Sequence, residues 1–218
     1  MIEATCTGTE HYRYVNQDAA PHWDNVFKTQ APGGMSWFQE QLATSLRLIT
    51  AALPERGSLI DVGAGASTLV DGLLDAGWSD ITVLDVSAGA LAKVRARLQL
   101  RNAAVDFVVA DLLSWHPDRT FDAWHDRAAF HFLVRPDDQD QYVETATRAV
   151  AHGGALVLGV FASDGPEHCS GLPTARYGAG GLADRFAPHF DLVTSEREEH
   201  VTPNGHVQPF TWVVLRRA

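Results

Sequence analysis

Leu59-Ile60-Asp61-Val62-Gly63-Ala64-Gly65-Ala66-Ser67 is the stretch that decides the fold. A short apolar run carries an acid, passes through two glycines one residue apart, and gives way to small residues able to open a helix. The reading is strand, tight turn, helix. Gly63 and Gly65 let the chain turn sharply and let its backbone approach a ligand. A second apolar run, Asp80-Ile81-Thr82-Val83-Leu84, ends in Asp85, 24 residues after Asp61. An acid at the tip of the second strand, about 20 residues on, is placed to accept hydrogen bonds from ribose hydroxyls. The pair of strands is therefore a nucleotide-type binding unit.

Outward from this unit, strands and helices alternate. Strands are expected at about 58–62, 80–84, 105–110, 121–125, 155–161, 190–197 and 207–216. Helices are expected from about 66 to Gly77 (Leu69, Leu73, Leu74), over 88–100 (Leu91, Val94, Leu98, Leu100), over 138–151 and near 180–187. His152-Gly153-Gly154 reads as the stop of the 138–151 helix. Alternation of this kind predicts an α/β fold, a mainly parallel seven-stranded sheet with helices on both faces. The last two strands have no helix between them, only a connection containing Thr202-Pro203-Asn204-Gly205. They should close the sheet as an antiparallel hairpin.

Before the first strand, Trp23, Val26 and Phe27 fall at i, i+3, i+4 and predict a short amphipathic helix. Residues 36–52 read as a second helix, with Ser36 as N-cap and Gln39 completing a capping box; Pro54 and Gly57 end it. Residues 1–55 are read as a helical lid segment and 56–218 as the binding core of one overall domain.

Asp61, Asp85, Asp111 and Asp126 all fall at or just past strand ends, where open parallel sheets bind their ligands. Four such acids in succession are hard to explain by packing, because buried unpaired carboxylates are costly. A dinucleotide site would continue to a third glycine, but Thr68 stands there, and nothing basic lies nearby in sequence to balance phosphates. An acid-lined pocket suits a cation that carries a ribose and an adenine. Asp85 would take the ribose, Asp111 the exocyclic amine, and Asp61 would border a cationic group.

With these residues the sequence resembles class I S-adenosylmethionine-dependent methyltransferases, with a Rossmann-like sheet, over about residues 56–160. Ile60-Asp61-Val62-Gly63-Ala64-Gly65 is similar to the first motif of that family, and Val83-Leu84-Asp85-Val86-Ser87 to its acidic second. Ala110-Asp111-Leu112 is similar to its third, and Gly153-Gly154 before the fifth strand is typical of it. The resemblance implies S-adenosylmethionine as cofactor, S-adenosylhomocysteine as product, and Asp61, Gly63, Gly65, Asp85, Val86, Asp111 and Leu112 as cofactor contacts, with His125 and Trp37 beside them. Trp124-His125-Asp126-Arg127 is also similar to the Trp-Asp-Arg-Gly segment of thiopurine and thiol methyltransferases, and to an Asp-Lys-Gly segment of some protein lysine methyltransferases. Here Ala128 replaces the glycine and His125 intervenes.

Methyl transfer needs in-line attack in a dry, oriented pocket. A thiolate needs little help from a base near neutral pH, whereas a hydroxyl or ammonium needs one. His131 is the candidate base by position, and Asp126 and Arg127 are the other candidate catalytic residues. Phe38, Phe161, Cys169, Arg176 and Tyr177 are candidate substrate contacts. Most of these sit in or beside the long 162–178 loop, rich in chain-bending residues, which is expected at the pocket mouth. Trp23, Phe27, Trp37 and Phe38 are expected to fold over the cofactor. The expected function is methylation of a small molecule, a thiol or other soft nucleophile. A protein lysine methyltransferase and a non-catalytic cofactor-binding regulator are the alternatives.

The net charge of -10, with no extended Lys/Arg run, argues against nucleic acid as a partner. Two cysteines, Cys6 and Cys169, make no disulfide framework, and no H-E-x-x-H pair suggests a metal. The N-terminus lacks a secretory pattern and no apolar run is long enough to span a bilayer, so a cytoplasmic location is expected.

Overall fold

A computed structural model describes residues 19–30, 32–101 and 104–218. Cys6 lies outside the described residues, as does the start of the expected lid segment. A seven-stranded sheet forms the centre, ordered β3-β2-β1-β4-β5-β9-β8. Its strands are β1 (Ser58–Val62), β2 (Asp80–Asp85), β3 (Asp106–Val109), β4 (Phe121–Arg127), β5 (Val150–Phe161), β8 (Phe190–Val201) and β9 (Val207–Arg217). The first five run parallel, and β9 pairs antiparallel with both β5 and β8. The α/β class, the mainly parallel sheet and the closing hairpin are as the sequence predicts. In the 162–178 loop a two-stranded ribbon, β6 (His168–Cys169) with β7 (Leu172–Pro173), adds an element that the reading lacked.

Six α-helices accompany the sheet among the described residues: α1 (Ala19–Thr29), α2 (Ala43–Ala52), α3 (Leu69–Asp75), α4 (Ala88–Leu98), α5 (Pro136–Ala149) and α6 (Ala179–Phe186). The central strands are buried on both faces, as parallel strands are when helices cover each side. On one face Leu48, Ile49, Leu73, Leu91 and Val94 pack on Leu59, Val83, Val157 and Trp212. On the other, Tyr142, Val143, Leu182 and Phe186 pack on Ile60, Val62, Trp124 and Leu158. The outermost strand β8 carries Glu196, Arg197, Glu198 and Glu199, charges that suit an exposed edge.

Two expected helix boundaries are corrected. Residues 36–42 do not join the second helix, which begins at Ala43 after Leu42 with no side-chain cap. The capping box fails because its members are used elsewhere. The Gln39 amide donates to Glu198 Oε1 at 2.8 Å, and the Ser36 carbonyl accepts from His200 Nε2 at 2.7 Å. The 138–151 helix instead runs Pro136–Ala149, with proline in its first turn where no N–H is missed. His152-Gly153-Gly154 is not its stop: the chain is already extended at Val150. Phe121 pairs with Val150, but Ala123 pairs with Ala155, so these residues form an irregularity inside β5.

The sheet leaves no room at its centre. A Cβ on Gly159 would stand 2.7 Å from the Trp212 indole, itself fully buried. Gly159→Ala should therefore lower stability by about 1–3 kcal/mol through overpacking. A urea denaturation midpoint equal to the parent's would contradict this.

Candidate active site

The strand order reverses between β1 and β4, which puts the ligand-binding crevice above their carboxyl ends. A cavity of about 590 Å³ opens there. Its floor is the glycine turn. Gly63 and Gly65 take φ of +61° and +54°, in the left-handed region that side chains resist. A Cβ on Gly63 would fall 2.4 Å from that of Ala129, and one on Gly65 2.7 Å from the Phe27 ring. The turn is thus held between the β4 loop and helix α1.

Asp85 sets the geometry of this floor. Its Oδ2 accepts from Gly65 N and its Oδ1 from Ser87 N, each at 2.7 Å. Burial raises its pKa to about 6, against the lowering effect of the two amides. Ser87 in turn caps α4, accepting from Ala90 N at 3.0 Å. Asp24 of α1 accepts from the Ser87 hydroxyl at 2.5 Å and from Gly89 N at 3.3 Å. A carboxylate at a helix N-terminus is favoured by the unpaired amides and the helix dipole, so Asp24 latches α1 over the cavity.

Asp61 and Asp111 also line the cavity, with Val86 and Leu112. Asp111 Oδ1 accepts from Leu113 N at 3.0 Å, closing the turn after β3. Asp61 is buried; His125 Nδ1 lies 2.6 Å from its Oδ1, while its Oδ2 has no partner among the described residues.

Asp126 does not join these acids. It is fully buried, and its carboxylate is filled by Ala129 N at 2.8 Å, Phe130 N at 3.0 Å and the Tyr142 hydroxyl at 2.6 Å. Its role is to brace the turn after β4. Burial pushes its pKa to about 6 as well. Unfolded aspartates titrate near ~3.9, so the folded chain binds more protons between about pH 4 and 6. Burying these two ionised carboxyls opposes folding above pH 6, and that penalty fades as the pH falls from about 6 to about 4.

Other candidates separate in the same way. Trp37, Phe38, His125, Arg127 and Cys169 line the cavity; His131, Phe161, Arg176 and Tyr177 do not. His131 is fully buried among Phe132 and Phe161, at ring distances of 4.4 and 4.5 Å. Both its ring nitrogens lack partners among the described residues, and burial, with the Arg127 charge, lowers its pKa to about 3. It is neutral and too weakly basic to take a proton from an acceptor at neutral pH. Phe161 packs between His131 and Phe210. Arg176 braces the 162–178 loop, donating to Gly165 O at 3.2 Å and Glu167 Oε1 at 3.0 Å. Tyr177 belongs to the core on the opposite face of the sheet.

Arg127 donates from Nη1 to Trp37 O at 2.8 Å and lies over the Phe210 ring at 4.8 Å. Burial lowers its pKa to about 10, which leaves it cationic. The Cys169 thiol is buried, and burial raises its pKa, so it is protonated at neutral pH.

Three functional candidates escaped the sequence reading. Asp24 is the latch described above. His22 lines the cavity with its Nε2 unpartnered among the described residues. Ser45, fully buried on α2, lies with its Oγ 3.0 Å from His125 Nε2. None belongs to a local pattern: Asp24 and Ser45 are defined by bonds to distant parts of the chain, and His22 by its place in the cavity wall.

Residues 59–154 match the family model of a methyltransferase domain. The glycine turn and Asp61, Asp85, Asp111 and Asp126 all lie within the matched residues. Among curated relatives, the eEF1A lysine and N-terminal methyltransferase of Mus musculus is 24% identical over 140 residues, covering 64% of this chain. The matched region spans only 20% of that relative's length. Among solved structures, the fold is similar to a protein studied in the conversion of a disulfide bond into a thioacetal group during echinomycin biosynthesis. That pair has a TM-score of 0.74 and 21% identity over 91% of this chain and 92% of the other. It is also similar to Burkholderia thailandensis 1,6-didemethyltoxoflavin-N1-methyltransferase, solved with its substrate and S-adenosylhomocysteine. There the TM-score is 0.73 at 19% identity, covering 100% of this chain and 93% of the other.

The Tyr142 hydroxyl also accepts from Trp124 Nε1 at 2.9 Å. Tyr142→Phe would orphan that indole N–H and remove one donor from Asp126. A loss of about 1–3 kcal/mol is expected in urea unfolding; a change below about 0.5 kcal/mol would show that the network carries little.

Proposed function

We propose that this protein transfers a methyl group from S-adenosylmethionine to a small molecule, a thiol or another soft nucleophile. The observation that carries the reading is the cover of the cavity. Trp23 and Phe27 from α1, with Trp37 and Phe38, wall it with aromatic surface. Trp23 sits edge-on to Trp37 and Phe132, at ring distances of 6.0 and 4.9 Å. An aromatic cover suits a compact, apolar acceptor and excludes water from the transfer. Residues 19–30 and 32–55 act in this reading as the lid.

The floor fits the cofactor by its donor set. The free Oδ2 of Asp61 would accept from its ammonium, Asp85 from its ribose hydroxyls and Asp111 from its adenine amine. The left-handed Gly63 and Gly65 let the backbone come close beneath it. When bound, it supplies an electrophilic methyl group for in-line transfer. His131, neutral and sealed off, leaves the acceptor side without the base that sequence position suggested, which favours an acceptor already nucleophilic near neutral pH. One structural neighbour also works on sulfur, in a disulfide-to-thioacetal conversion.

A second reading, methylation of protein lysine or N-terminal amines, draws on the mouse relative. An amine acceptor must lose a proton, and His22 would be the imidazole at hand. No helix among the described residues is long and apolar enough to cross a membrane, and none of their His, Cys, Asp and Glu side chains gather as a metal site.

A screen with labelled S-adenosylmethionine against thiols, amines, phenols and basic proteins separates the readings. Turnover on small thiols is expected; transfer confined to basic proteins would establish the second reading instead. Asp85→Ala should weaken S-adenosylhomocysteine binding by about 1–3 kcal/mol, from loss of a charged acceptor. Calorimetry showing parental affinity would remove Asp85 from the ribose site. Because Asp85 gains a proton near pH 6 and an acceptor site is lost with it, affinity in the parent should fall as the pH drops from 7.5 to 5.5. A flat profile over that range would count against the assignment.

A further inference from the structure

We infer that Ser45 is a positioning residue for cofactor binding: through His125 it fixes the orientation and charge of Asp61. The inference rests on the cofactor assignment above and adds to it a residue from a helix that does not line the cavity.

Three side chains from three elements form one buried line: Ser45 on α2, His125 on β4 and Asp61 on β1. Ser45 Oγ to His125 Nε2 is 3.0 Å, and His125 Nδ1 to Asp61 Oδ1 is 2.6 Å. All three residues are at most 2% exposed. His125 and Asp61 are register partners on adjacent parallel strands, so the backbone itself brings them side by side. The imidazole also stacks on Trp212, at a ring distance of 6.1 Å and an angle of 27°, which limits its rotation.

Counting hydrogen-bond donors and acceptors points to one tautomer. A carboxylate oxygen only accepts, so His125 Nδ1 carries a proton. At the other nitrogen two arrangements are possible. A bare Nε2 accepts from the Ser45 hydroxyl, or a protonated Nε2 donates to its oxygen. Ser45 Oγ has no other hydrogen-bond partner among the described residues. If Nε2 were protonated, the serine proton would be left unpaired in a fully buried site, at the cost of an unsatisfied buried donor. Ser45 therefore selects the neutral imidazole with its proton on Nδ1.

The consequence reaches the cavity through charge. A neutral His125 leaves Asp61 its full negative charge and one unpartnered oxygen, Oδ2, for a cationic group. An imidazolium would neutralise the pair and cut its attraction for that cation. The stabilising contact is also directional, since the Nδ1–H bond fixes which carboxylate oxygen is taken and which stays free. Second-sphere partners set tautomer and ligand orientation in the same way around metal-bound histidines. Ser45 lies on α2, which follows the covering segment 32–42 directly, so cover and cofactor floor share one structural tie.

The test has two parts. Nitrogen-15 NMR of the imidazoles in the 218-residue chain, with a His125→Asn sample for assignment, reads the tautomer with no cofactor added. A bare Nε2 and a protonated Nδ1 are expected at pH 7.5; a protonated Nε2 would overturn the inference whatever the variants do. Calorimetry with S-adenosylhomocysteine then compares Ser45→Ala, Ser45→Thr and Asp61→Ala. Ser45→Ala should weaken binding about three- to tenfold, the scale of one buried hydrogen bond. Ser45→Thr, which keeps the hydroxyl, should recover most of the loss and keep the parent's tautomer. Parental affinity in a folded Ser45→Ala protein, with Asp61→Ala impaired, would refute the role of Ser45 while leaving the cofactor site standing. Parental affinity in Asp61→Ala as well would instead remove the Asp61 assignment on which the inference rests. Where Ser45→Ala does not fold, the parent's spectrum still decides the tautomer, and affinity in Ser45→Thr decides the role of the hydroxyl.

Discussion

The Asp85 carboxylate holds the site together. One oxygen takes the amide of Gly65 in the turn after β1, and the other takes the amide of Ser87 at the start of α4. Two loops whose bonded amides, Gly65 and Ser87, lie 22 residues apart become a single rigid floor. The cost is a buried acid whose pKa climbs to about 6. The structure tolerates this because the amides satisfy the carboxylate in part, and because the position suits ligand hydroxyls. The latch of Asp24 onto Ser87 and Gly89 then builds on that same corner and brings α1, with Trp23 and Phe27, over the cavity.

Charge is divided sharply between the two ends of the cavity wall. Asp61, Asp85 and Asp111 face it from the tips of β1, β2 and β3, whereas Arg127 approaches from β4. Arg127 lies close to the aromatic cluster of Phe132, Phe161 and Phe210 that encloses His131. An acidic floor suits a cationic adenosine ligand, and an aromatic roof suits a compact acceptor. The methyltransferase domain match over residues 59–154 agrees with the floor. In the proposed function, the aromatic roof is the feature that favours a small acceptor over a basic peptide.

Aspartates that look alike in sequence part company here. Asp61, Asp85, Asp111 and Asp126 each follow an apolar run, yet Asp126 turns away and is consumed by Tyr142 and two amides. Likewise His125 and His131 are six residues apart. The first is wired to Asp61 and Ser45, and the second is sealed among phenyl rings. Gln39 and Ser36 carry the local signature of a capping box, but a long-range contact with Glu198 and His200 takes them out of the helix. Tertiary bonds of comparable strength outcompete a cap when the chain brings them near.

By itself the sequence determined the alternation of strands and helices, the parallel sheet with its closing hairpin, the glycine turn at Gly63 and Gly65, and the acid at Asp85. These are short-range properties: period, apolar run length and the conformational freedom of glycine act within a few residues. Only the tertiary structure decided which acids face the cavity, that Arg176 and Tyr177 stay out of it, that His22 lines it, and that Asp24 and Ser45 support it from behind its wall. Those outcomes depend on which side chain reaches a partner tens of residues away, and on burial that sets each group's protonation. Neither is encoded in any local window of the chain.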